Sequence, residues 1–75
     1  MLIQPCSLTA LREAHDITRE ELALGLNCTV RAVYAYESRD RMMSAAVVVA
    51  ASRVLGLGEA EELGLHRWAA VGDGV

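Results

Sequence analysis

Thr18 to Glu37, TREELALGLNCTVRAVYAYE, constrains the fold most, because two capped helical runs meet there across a break of about three residues. Thr18 followed at the third position by Glu21 is a capping box, in which each side chain accepts a backbone N–H orphaned at the helix start. Leu22, Ala23 and Leu26 then recur at helical spacing, and Asn27, which tolerates the left-handed region, offers a stop. Thr29 caps the next run, with Val33 and Tyr36 as its buried stripe and Glu37 its last polar position.

With 75 residues the chain supports one modest core. Hydrophobic residues make up 53% and aromatics 4%, with no Phe and one Pro, a mixture of Ala, Leu and Val that suits short helices. The expected class is all-α, a bundle of four to five short helices. Either Pro5 or Ser7 opens the first helix, with Leu8, Leu11 and Ala14 inward, His15 and Asp16 closing it, and Ile17 stapling the next helix. Ser38 to Met43 reads as a polar loop. Ser44 caps a fourth helix with Ala45, Val48, Ala51, Ser52 and Leu55 inward and Gly56 at its end. A short strand through Val47, Val48 and Val49 is the alternative, disfavoured by the Ala-rich flanks. A last helix falls within Gly58 to Ala70, its early glutamates suited to the dipole. Gly64 interrupts its pattern, so a bend or two pieces is expected there.

No apolar run approaches the length of a membrane span and Met1 begins without a basic leader, so a soluble, cytoplasmic chain is expected. Cys6 and Cys28 are too few for a disulfide framework or a zinc site and are expected as thiols. No metal, cofactor or small-molecule substrate is expected. His15 and His66 lie far apart, and no paired carboxylates accompany a nucleophile or phosphate loop, which disfavours an enzyme. All seven basic residues are Arg and the net charge is −3. Residues 1 to 57 carry six Arg against six acidic residues, or zero; residues 58 to 75 carry Arg67 against four acidic residues, the whole deficit. Acidity thus gathers away from residues 29 to 37.

Leu11-Arg12-Glu13, Thr18-Arg19-Glu20-Glu21-Leu22-Ala23, Asn27-Cys28-Thr29, Val33, Tyr36-Glu37, Ser44 and Leu55-Gly56-Leu57 together resemble the Xre/Cro, lambda-repressor-like helix-turn-helix family, without a gap over residues 8 to 57. The resemblance implies a DNA-binding domain over 1 to 57, leaving 58 to 75 as a C-terminal helix or tail offered for dimerisation. It implies that Thr29 to Glu37 enters the major groove of double-stranded DNA while the preceding helix crosses the backbone. On a helical wheel Val30, Arg31, Tyr34 and Ala35 share the outer face. Arg31 is the candidate for guanine O6 and N7, Val30 and Ala35 for thymine methyls, Tyr34 for phosphate or a base edge. Arg19 stands where the family commonly has Gln and is a candidate for binding phosphate beside a base contact, or else a surface pair with a nearby Glu. Thr29 caps and contacts phosphate, and Ser38, Arg39 and Arg41 match the backbone-gripping loop. Arg12 and Glu37 match an internal ion pair.

Three departures stand out: Asn27 replaces the usual turn Gly, Arg39 stands where relatives carry Gly, and Asp40 adds negative charge beside the loop. The functional expectation is a transcriptional regulator, of repressor or Cro-like type, bound as a homodimer to half-sites about 34 Å apart. Trp68 with Leu63, Leu65 and Val71 would form the interface, or Trp68 would pack on its own core. The alternative is a protein-interaction module or antirepressor that kept the fold without DNA binding.

Overall fold

Four hydroxyl side chains set the starts of the first four helices. In the computed structural model, which describes residues 6–71, Ser7, Thr18, Thr29 and Ser44 each accept the N–H three residues on, at 3.0 to 3.2 Å. The elements are α1 (Leu8–Ala14), α2 (Arg19–Leu26), α3 (Val30–Ser38), α4 (Ala45–Leu55) and α5 (Glu59–Val71), with no strand among the described residues. The capping box closes as expected, with Thr18 N–H donating to Glu21 Oε1 at 2.9 Å. Pro5, the other candidate opener of α1, lies outside the described residues. Val47, Val48 and Val49 are helical. Asn27 and Gly56 end α2 and α4 in the left-handed region, at φ 57° and 70°.

α2 packs between α3 and α4, α1 lies against α3, and α5 closes on α4. Leu8, Leu22, Val33, Val48 and Leu65 are fully buried at the centre, each side chain contributing roughly 1.5–3 kcal/mol on leaving water. Leu65 thereby ties α5 into the same core as the other helices, and, being fully buried, it is unavailable to the dimer interface expected of it. Gly25 permits the close approach of α2 to α4, since a Cβ there would stand 2.7 Å from Val54 Cγ2. Ser52, buried within α4, donates its hydroxyl to Val48 O at 2.8 Å.

Three expectations are corrected. Ala14 and Ala45 are exposed, because each sits at the end of its helix where the neighbouring element does not cover it. Gly64 does not interrupt α5, which runs continuously from Glu59 to Val71. It is buried, and its carbonyl accepts the Cys6 N–H at 3.0 Å, which holds the chain ahead of α1 against α5.

Candidate nucleic-acid interface

Thr29 Oγ1 accepts the Ala32 N–H at 3.1 Å, leaving the first turn of α3 to start at an exposed position. From there the helix alternates faces. Ala32, Val33 and Tyr36 turn inward and are buried. Arg31 is exposed and Tyr34 is 52% exposed, so both project outward on α3. Ala35 is half-buried. Val30 is also half-buried and packs against the core, so the outer face is narrower than the helical wheel indicates. At the first helical position a side chain leans back toward the preceding turn, and here that direction leads to the core.

Behind this face lies a charged hub. Glu37, whose side chain is 5% exposed, receives Arg12 Nε on Oε2 and Arg19 Nε on Oε1, both at 2.7 Å. Arg12 is itself buried and donates from Nη1 to Ile17 O at 2.9 Å. Two arginines on one carboxylate leave no lone charge inside, the condition under which buried ions are tolerated. Burial alone pushes the Glu37 carboxyl up, but the hydrogen bonds and charges of Arg12 and Arg19 outweigh it and hold the group below the usual carboxylate range. The Glu37 hydrogen bond raises Arg19 further above its ordinary value. Arg12 with Glu37 is the internal pair the resemblance implies. The second arginine of the hub differs from the sequence expectation for Arg19, a surface pair or a DNA contact. The signal for it was available, because a buried carboxylate has two oxygens and one arginine Nε occupies only one.

Arg19 starts α2, yet its guanidinium rests on α3. Its central carbon stands 4.3 Å from the centroid of the Tyr34 ring, and Nη1 lies 3.4 Å from the Tyr34 hydroxyl. Both of its partners, Glu37 and Tyr34, therefore belong to the groove-facing candidate helix.

The loop after α3 follows another course. Arg39 adopts φ 66° and ψ 16°, and its side chain turns toward α5, donating from Nη2 to Trp68 O at 3.0 Å and covering the Trp68 ring at 4.3 Å. Arg41 lies over Tyr36, 5.3 Å from the ring centroid, and is exposed. The Ser38 hydroxyl donates to Ala35 O at 3.2 Å and lies 3.1 Å from Asp40 Oδ2. So the structure groups Arg19, Thr29, Arg31, Tyr34 and Ala35 along the α2–α3 corner, keeps Ser38 and Arg41 at its far end, and directs Arg39 to α5. The partnership of Arg39 with Trp68 left no signal in the local pattern, since 29 positions separate the two.

The acidic first turn of α5 faces α1. His15 Nε2 lies 3.1 Å from both oxygens of Glu61. The hydrogen bond with His15, followed by the Gly58 N–H, holds the Glu61 carboxyl below its usual range. Glu61 and Trp68 are seven positions apart, about 10 Å along the helix axis, so the acidic turn and the Arg39 contact occupy different ends of α5. Among the described residues no cluster of His, Cys, Asp or Glu is arranged to hold a metal, and no helix is long and apolar enough to cross a membrane. Neither Cys6 nor Cys28 is in a disulfide.

A protein-family model described as helix-turn-helix matches residues 8–63. Comparisons with curated proteins and with solved structures returned no match.

Proposed function

The chain belongs to the Xre/Cro, lambda-repressor-like helix-turn-helix family of DNA-binding regulators, and from that premise we propose that it is a sequence-specific transcriptional repressor of Cro-like type that binds its operator as a homodimer. The observation that carries this reading is the outward presentation of Arg31 and Tyr34 on a helix whose inner side is pinned by the Arg12–Glu37–Arg19 hub. In this reading α3 enters the major groove with Arg31 donating to guanine O6 and N7. Thr29 and Arg41 meet phosphates, Ser38 lies beside them, and Ala35 and the exposed part of Val30 meet thymine methyls. Arg39 is left out of the contact set, because its Nη2 and its stacking face are directed at Trp68. Leu63, 43% exposed on α5, and half-buried Trp68 serve the dimer; the Val71 side chain lies outside the described residues.

Anisotropy titration against DNA flanking the gene, at two salt concentrations, tests the reading; saturable, salt-dependent binding is expected, and its absence at low salt removes the repressor. Arg31→Ala should cost about 1–3 kcal/mol and relax preference at one base pair, whereas Arg41→Ala should weaken every sequence alike.

A second reading, a protein-interaction module or antirepressor, draws on the same hub. Glu37 pairs with Arg19, and Arg39 is turned toward Trp68, so fewer unpaired cations line the corner than the sequence promises. Loss of DNA binding together with retained folding would favour it.

A further inference from the structure

Arg19 combines three features on one guanidinium. Its Nε is committed to Glu37 Oε1 at 2.7 Å, one of its faces lies on Tyr34 at 4.3 Å, and its side chain is still 32% exposed. A guanidinium offers two forked edges, one through Nε and one through its two terminal nitrogens. With Nε occupied, the terminal nitrogens remain, and the long 3.4 Å contact of Nη1 with the exposed Tyr34 hydroxyl leaves their other N–H groups for a ligand. The stack on Tyr34 sets the plane of that fork, and Tyr34 is itself 52% exposed on the outer face of α3.

We infer that Arg19 and Tyr34 act as a single guanine-reading unit, with Glu37 as the positioning residue that holds Arg19 over the recognition helix. The inference rests on the repressor reading and names the base chemistry of that site. Guanine presents O6 and N7 at the spacing of an arginine fork in the major groove. A phosphate would gain from the net positive charge that two arginines on one carboxylate leave in place, but it would make no use of the fixed plane that Tyr34 gives the Arg19 fork. What remains is a pair of oriented donors, which suits neutral acceptors on a base edge. The plane fixed by Tyr34 makes the two residues interdependent: either one removed, the fork is free to rotate away from the base.

A site selected by the wild-type protein from a random duplex pool provides the probe, and wild-type affinity for it is measured by anisotropy across a salt series. Failure to select any site overturns the repressor reading and the pair together. On a selected site, Arg19→Ala and Tyr34→Ala should each weaken binding about tenfold and relax preference at one shared G·C pair. The double variant should lose about as much as either single one, since the two act through one contact. Arg19→Lys, which keeps the charge but lacks the planar fork, should behave like Arg19→Ala. The salt slope should stay near that of the wild type, against a fall of about one for a lost phosphate contact. Multiplying losses with shifts at separate base pairs, or a fall of the slope without a change in base preference, overturns the unit.

Two further variants separate positioning from folding. Arg12→Met and Glu37→Gln both disturb the hub, and binding is measured at a temperature where circular dichroism shows each one folded. Arg12→Met should retain the G·C preference, and Glu37→Gln should lose it. Equal retention in both removes the positioning role of Glu37.

Discussion

Two turns bracket α3, and both end a helix with a non-glycine residue in the left-handed region: Asn27 at φ 57° and ψ 46°, Arg39 at φ 66° and ψ 16°. Asparagine visits that region with little penalty through its short polar side chain, while arginine carries the ordinary cost of roughly 1–2 kcal/mol. The first turn is thus supported from within, its Asn27 N–H bonding Leu24 O at 3.2 Å and the next N–H, Cys28, bonding Ala23 O at 3.0 Å. The second has local bonds as well, Arg39 N–H to Tyr36 O and Arg41 N–H to Ala35 O, both at 3.2 Å, and adds distant partners to them. Arg39 is tied to Trp68 by a hydrogen bond and a ring contact, and two positions before it Glu37 is clasped by Arg12 and Arg19. One turn is a local device, and the other joins local bonds to contacts from α1, α2 and α5.

Removing the inner clasp should have the largest effect. Glu37→Ala strands a buried Arg12 and should destabilise the fold by about 3–5 kcal/mol in thermal or urea unfolding; an unchanged melting temperature would refute the hub. The same pair sets an acid limit. The folded-state carboxyl of Glu37 lies below its unfolded value, so its contribution is complete above the unfolded value and is lost as pH falls through the folded one. Unfolding measured across that acidic range should therefore show a shallower decline in Glu37→Gln than in the wild type.

The outer support comes next. Trp68→Ala should cost about 2 kcal/mol, less than a fully buried aromatic because the ring is only half-buried. It should also raise amide exchange at Arg39 and Arg41 while leaving Asn27 and Cys28 unchanged. Equal loosening of both turns would break the contrast between them.

The smallest effects sharpen it. Arg39→Gly should be close to neutral on its own, because relief of the left-handed backbone offsets the lost contact with Trp68. In the Trp68→Ala background, where no contact remains to lose, it should stabilise by about 1 kcal/mol. Asn27→Gly should change stability by no more than about 0.5 kcal/mol in either background. Thermal unfolding of these four variants and of Trp68→Ala closes the cycle, and a stabilisation by Asn27→Gly in the Trp68→Ala background as large as that of Arg39→Gly would contradict it.

Much of the fold was legible because its signals are short-ranged. Ser7, Thr18, Thr29 and Ser44 announce helix starts through a hydroxyl and an amide three residues apart, and Asn27 and Gly56 announce stops through their own backbone freedom. Leu8, Leu11, Leu22, Val33, Val48 and Leu55 could be placed inside from spacing alone. Spacing failed at helix ends. Ala14 and Ala45 fit an inward stripe but have nothing packed over them, and Val30 fits an outward one but leans into the core. Gly25 gave no sign of its role, which depends on Val54 of a different helix.

The candidate interface divides in the same way. Arg31 and Tyr34 could be assigned to the outer face from their places on α3. The fate of Arg19 and Arg39 could not, because a long charged side chain reaches several ångströms in many directions and its partner is chosen by whichever helix lies within reach.

Read alone, the chain determined where four of its helices begin, how two of them end, and which residues line one face of the central pair, since each of these depends on neighbours within about one helical turn. Tertiary structure decided which arginines remain outward. Packing of α1, α2 and α3 brings two guanidiniums to one carboxylate, and packing of α5 brings Trp68 under Arg39. A buried charge must find its counter-charge among whatever the fold places nearby, and no local pattern encodes that choice.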